Sequence, residues 1–93
     1  MNYDTFTEEV HALILERGKE YFRQGAVESL TETPEGWTAQ VTGQETYNVV
    51  ITGIDLPTEW YCDCPYDHGP MCKHVAAVFY AIRARTGFSD EEE

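Results

Sequence analysis

The sequence predicts an α+β domain: an N-terminal helix, a three-stranded antiparallel meander, and a cysteine- and histidine-rich knuckle that leads into a C-terminal helix. Three observations carry this prediction. Apolar residues recur at helical spacing near both ends of the chain. They alternate with polar residues between Ala26 and Ile54. All three cysteines lie between residues 62 and 72, directly ahead of the second helical pattern. A length of 93 residues leaves room for one core. Residues 1–86 are expected to form that single domain, and residues 87–93, ending in Asp90, Glu91, Glu92 and Glu93, a disordered acidic tail.

The first helix is expected from Asp4 to Gln24. Phe6, Val10, Leu13, Ile14 and Tyr21 fall on one stripe, and Asp4 or Thr5 supplies the N-cap. Gly25 stops it, because a glycine suits the left-handed position just past a helix end, and Arg23 favours the negative end of the helix dipole. Gly18 is a weak point where a break is expected if one occurs. His11 is read as only a helix residue, at the edge of this first helix.

Three strands follow. Ala26–Thr33 is closed by Pro34, Glu35 and Gly36; Trp37–Thr42 places Trp37, Ala39 and Val41 on one face; Thr46–Ile54 carries Tyr47, Val49 and Ile51 on its apolar side. Gly43, Gln44 and Glu45 form the hairpin turn between the last two. The apolar side of such a meander must be covered, and the N-terminal helix is the expected cover. Val75, Val78, Phe79 and Ile82 then mark a second helix from Lys73 to Arg85, ended by Thr86 and Gly87.

A hydrophobic fraction of 42% with six Tyr, four Phe and two Trp excludes a disordered chain, and no apolar run is long enough to span a bilayer. The acidic start, MNYDTFTEEV, lacks the basic and apolar regions of a signal peptide, so a cytoplasmic location is expected. A reducing compartment disfavours disulfides, and three cysteines cannot all pair within one chain. The net charge of −11 argues against binding to phosphate backbones. The six bases form two groups, Arg17, Lys19 and Arg23 in the first helix and Lys73, Arg83 and Arg85 in the second.

The chemistry concentrates between Trp60 and His74. Zinc takes four tetrahedral thiolate or imidazole ligands, and Cys62, Cys64, Cys72 and His74 make a Cys3His set with no open position. Cys62 and Cys64, two apart, point to one side of an extended strand. Cys72 and His74 stand where the second helix begins. His68 is the rival fourth ligand, but it sits beside Gly69 in the intervening loop, and the geometry of a tetrahedral site favours His74. Thiolate-rich tetrahedral sites also take iron; zinc is the expected occupant for Cys3His.

These residues resemble the SWIM zinc finger, whose pattern is Cys-x-Cys, a variable spacer, then Cys-x-His: Cys62-x-Cys64 and Cys72-x-His74 match it. The likeness extends to Arg17-Gly18-Lys19-Glu20-Tyr21-Phe22, Gly25-Ala26-Val27, Val41 and Gly43, Tyr47-x-Val49 and Cys64-Pro65, so that roughly residues 15–85 look like SWIM-containing bacterial proteins. The resemblance implies a zinc-dependent fold used to bind DNA or proteins, often as an accessory segment of chromatin-remodelling-type helicases, Mutator-type transposases and regulatory proteins.

Two functions follow, and a third is disfavoured. A closed metal site on an acidic domain points to a zinc-stabilised module that binds protein partners. The alternative is a DNA-binding accessory module of a helicase or transposase type, using one of the two basic groups with Trp60 or Tyr66 as stacking platforms; packing over the zinc loop is the simpler role for both aromatics. An enzyme, through a thiol nucleophile or a catalytic zinc, is disfavoured, because catalytic zinc keeps a position open for water and no Ser-His-Asp or paired-carboxylate arrangement can be placed near the cluster, nor any phosphate-cradling glycine loop. No catalytic residue, small-molecule substrate or membrane partner is expected.

Overall fold

The computed structural model describes residues 3, 5–43, 45–54, 56–64 and 71–86. The α+β architecture is the one the sequence predicts, with one strand more. A short 3-10 turn, Phe6–Glu8, leads into α1 (Ala12–Arg23); then come β1 (Val27–Thr33), β2 (Gly36–Thr42), β3 (Thr46–Thr52), β4 (Glu59–Cys62) and α2 (Lys73–Arg85).

The expected helix from Asp4 is therefore interrupted. Phe6 is completely buried, its ring meeting Phe79 and Tyr80 edge-on at centroid distances of 5.2 and 4.9 Å, and that anchorage holds the N-terminal segment off the axis of α1. His11, at the edge of α1, is its N-cap: its Nδ1 accepts the Leu13 N–H at 3.1 Å. Asp4 lies outside the described residues. The far end of α1 follows the sequence. Gly25 adopts φ 76°, the Ala26 N–H reaches the Tyr21 carbonyl at 3.0 Å and the Gly25 N–H reaches that of Phe22 at 3.1 Å, the paired bonds of a Schellman stop.

The sheet is antiparallel throughout, in the order β1-β2-β3-β4. Trp37 pairs with Ile51, Val41 with Tyr47, Val49 with Cys62 and Ile51 with Trp60. β3 stops at Thr52, short of the predicted Ile54, and the chain returns as β4 to form the second edge of the sheet. A bulge between Glu28 and Thr31 puts Ser29 at φ 57° and bends the other edge strand.

The cover of the sheet is α2, not α1. It touches all four strands on their apolar side, where Val75, Val78, Phe79 and Ile82 meet Trp37, Val41, Val49 and Ile51 in one core. α1 packs instead on α2, which is why every residue from His74 to Arg83 is buried and not only the predicted stripe. Small residues make this layering practicable. α1 runs unbroken through Gly18, and a Cβ there would stand 2.6 Å from the Ala76 Cβ and 2.9 Å from the Ala77 backbone nitrogen. Gly18→Ala is expected to destabilise the protein by about 1–3 kcal/mol through overpacking, outweighing the ~1 kcal/mol that alanine gains in helix propensity; urea denaturation measures the sign.

Tyr3 ties the N-terminal segment to the β3–β4 connection. Its hydroxyl donates to the Gly53 carbonyl at 2.7 Å, and burial pushes its pKa up to about 12. Because this lies above the unfolded value of about 10, the neutral phenol stabilises the fold below about pH 10, and that contribution disappears as pH rises through 12. Tyr3→Phe is expected to lower stability by about 0.5–1.5 kcal/mol at neutral pH and to remove this alkaline component, which denaturant titrations at pH 8 to 12 would detect.

Candidate metal centre

Two elements bring the donors together. β4 ends at Cys62, and its pairing with β3 is prolonged by one residue. Asp63 donates its backbone N–H to the Asn48 carbonyl at 3.2 Å, and its carboxylate accepts the Asn48 N–H at 2.9 Å and the Asn48 side-chain amide at 3.1 Å. These bonds from Asn48 hold the Asp63 carboxyl below the usual carboxylate range and fix the Cys-x-Cys segment to the sheet. The second element is α2, where Cys72 is the N-cap with extended backbone and accepts the Ala76 N–H on its carbonyl, and His74 lies in the first turn.

The ligating atoms of Cys62, Cys64, Cys72 and His74 all lie within 4.8 Å of one another. His74 Nδ1 is 3.7 Å from Cys62 Sγ and 3.8 Å from Cys72 Sγ. A tetrahedral zinc with Zn–S of about 2.3 Å and Zn–N of about 2.0 Å requires S···N edges of roughly 3.6 Å. The cluster therefore has the size of a zinc coordination shell, and the four residues are positioned to bind one zinc ion. His68 and Tyr66 lie outside the described residues.

The electrostatics also call for a cation. Hydrogen bonding from Cys62 draws the Cys72 thiol below the ordinary thiol range, with the His74 contact acting in the same direction against burial, whereas the same Cys72 contact and burial drive Cys62 above it. A multiply charged cation is what lets thiols this close together ionise side by side.

The ring of His74 is buried and held by two tyrosines that sequence reasoning placed only as apolar positions. Tyr47 stacks on it at 4.4 Å with an interplanar angle of 29°, and Tyr21 lies tilted against it at 5.4 Å. Tyr21 in turn carries Lys73 Nζ 5.5 Å above its own ring. The Asn48–Asp63 clamp was likewise missed, since a polar strand residue and the residue between two cysteines have no pattern of their own.

Two of the three bases in the second group are engaged within the fold. Arg83 is only 3% exposed, with its guanidinium over Phe6 and Tyr80 at 5.3 and 5.1 Å, and Arg85 donates to the Leu30 carbonyl at 3.2 Å on the β1 edge. Trp60 packs edge-on against Phe79 at 5.6 Å, in keeping with a packing role.

The model of the SWIM zinc finger family matches residues 47–83, from the tyrosine that stacks on His74 to the buried arginine of α2, and takes in all four donors. Residues 47–83 are thus similar to a SWIM zinc finger. α1, β1 and β2 precede the matched SWIM segment. An uncharacterized protein from Methanocaldococcus jannaschii is 32% identical over 95 aligned positions, and its similarity covers 100% of this chain, the preceding elements included. The chain spans 36% of that relative's length. No solved structure matches. Among the described residues, no helix is long and apolar enough to cross a membrane.

Proposed function

We propose that Cys62, Cys64, Cys72 and His74 hold one structural zinc ion, and that the SWIM finger with its helix and hairpin is a module for binding protein partners, without catalytic function. The observation that carries the metal assignment is the convergence of three thiols and one imidazole nitrogen within 4.8 Å at the junction of β4 and α2. Bound zinc supplies a tetrahedral cross-link between the sheet edge and the central helix, and four protein ligands leave no position for a substrate or an activated water. Cysteines with no disulfide partner are best preserved in a reducing compartment, which supports a cytoplasmic location.

The preference for protein over nucleic acid rests on charge. The protein carries −11, Arg83 is buried, and Arg85 is engaged at the β1 edge. Arg17, Lys19 and Arg23 share α1 with Glu16 and Glu20. Fluorescence anisotropy of the zinc-loaded protein with labelled single- and double-stranded DNA at low and near-physiological salt tests this directly. The expected result is no binding at the higher salt. Binding that persists there would transfer the assignment to a DNA-binding accessory module.

A further inference from the structure

The sheet has α2 on one face only. On its other face, the register aligns Thr31, Thr38, Val50 and Tyr61 in a row that crosses all four strands. The row contains no charge. Val50 and Tyr61 are directly paired across β3 and β4, and they are 44% and 61% exposed, large apolar groups that no element of the fold covers among the described residues. Beside the Ser29 bulge the same face has a shallow depression of about 390 Å³ lined by Ser29, Thr31, Thr38, Gln40, Asn48 and Val50.

The surroundings of this row are acidic. Glu28 lies at one end of the neighbouring row through Gln40 and Asn48, and Asp63 is bonded to Asn48 at its other end; Glu59 pairs with Thr52 on the far side. No lysine or arginine occurs between Arg23 and Lys73, so the whole sheet is built without a base, and all six bases belong to the two helices. The bases are therefore confined to the helical layers.

We infer that the uncovered sheet face, centred on Val50 and Tyr61, docks a basic protein segment that also presents aliphatic or aromatic side chains. This inference rests on the protein-binding function proposed above and names its site. The neutral row offers apolar contact area and hydroxyl and amide partners, and its acidic flanks attract lysine and arginine at the rim. Other occupants fit poorly. Phosphates would meet Glu28, Glu59 and Asp63, with Arg85, bonded to the Leu30 carbonyl, as the cation at the β1 edge, and a second copy of this chain would bring the same acids against one another across a two-fold axis.

The probe is an extended peptide of alternating lysine and valine, compared with a peptide of equal length and charge carrying serine in place of valine, and with duplex DNA. Each is titrated into the zinc-loaded, isotope-labelled protein while backbone amide shifts are followed. Shifts are expected at Thr31, Thr38, Val50 and Tyr61. The serine peptide is expected to bind about tenfold more weakly, and so is the lysine–valine peptide to a Val50→Ser/Tyr61→Ser variant whose zinc content is unchanged. Glu28→Gln/Glu59→Gln should weaken binding most at low salt, where the rim charges are least screened. Shifts confined to α1, equal affinity for the double serine variant, or no peptide binding at all would overturn the docking face. Peptide binding on α1 would leave the protein-binding function standing, whereas DNA binding without peptide binding would remove both.

Discussion

Removal of zinc by a strong chelator at neutral pH is expected to abolish the cooperative unfolding transition of this protein. Zinc binding to small structural sites contributes about 10–16 kcal/mol, a range that meets or exceeds the ~5–15 kcal/mol net stability of an ordinary domain. The place of the site makes the dependence severe. It joins the end of β4 to the start of α2, and α2 carries an unbroken run of buried residues from His74 to Arg83 that forms the centre of the core. Cys72→Ser and His74→Ala are expected to behave like the zinc-free protein, with loss of near-ultraviolet circular dichroism and of a sharp thermal transition. A catalytic metal would instead leave these variants folded. Since thiols must lose their protons to bind, the same chelator concentration is expected to strip zinc more readily at pH 5 than at pH 7.

Phe79→Ala is expected to cost about 3–5 kcal/mol. The ring is fully buried and meets three others edge-on, Tyr3 at 5.5 Å, Phe6 at 5.2 Å and Trp60 at 5.6 Å. These neighbours come from the N-terminal segment and from β4, so removal of one ring opens a cavity between parts of the chain that have few other reasons to meet. Urea denaturation of the zinc-loaded variant measures the loss. A change below about 1 kcal/mol would show that the neighbours collapse into the space.

Much of this architecture was legible in the residues because local pattern and tertiary role coincide. Val75, Val78, Phe79 and Ile82 form a helical stripe and all are core; Trp37, Ala39 and Val41 alternate and all face α2. The four zinc donors were legible for a different reason, since thiol and imidazole chemistry has few uses at such spacing. What pattern failed to reveal was layering. α1 looked like the cover of the sheet because it is amphipathic, yet its close approach is to the Gly18–Ala76 contact, and alanines mark a helix interface less distinctly than large residues do. β4 was missed because it is four residues long and two of its side chains, Trp60 and Cys62, had already been assigned to the zinc knuckle. The break before α1 depended on Phe6 finding Phe79 and Tyr80, a contact between residues far apart in the chain. Arg83, counted among surface bases, lies under two aromatic rings because α1 and the N-terminal segment close over the outer side of α2.

The central claim is a closed Cys3His site, and cobalt substitution tests it most directly, because the ligand-field spectrum of Co²⁺ separates tetrahedral from octahedral coordination and its thiolate charge-transfer bands report the sulfur ligands. Titration of the metal-free protein should saturate at one cobalt per chain with the intense visible bands of a tetrahedral thiolate-rich site; His74→Ala should alter that spectrum and His68→Ala should not. Weak octahedral bands, or a spectrum that follows His68 and ignores His74, would contradict the account.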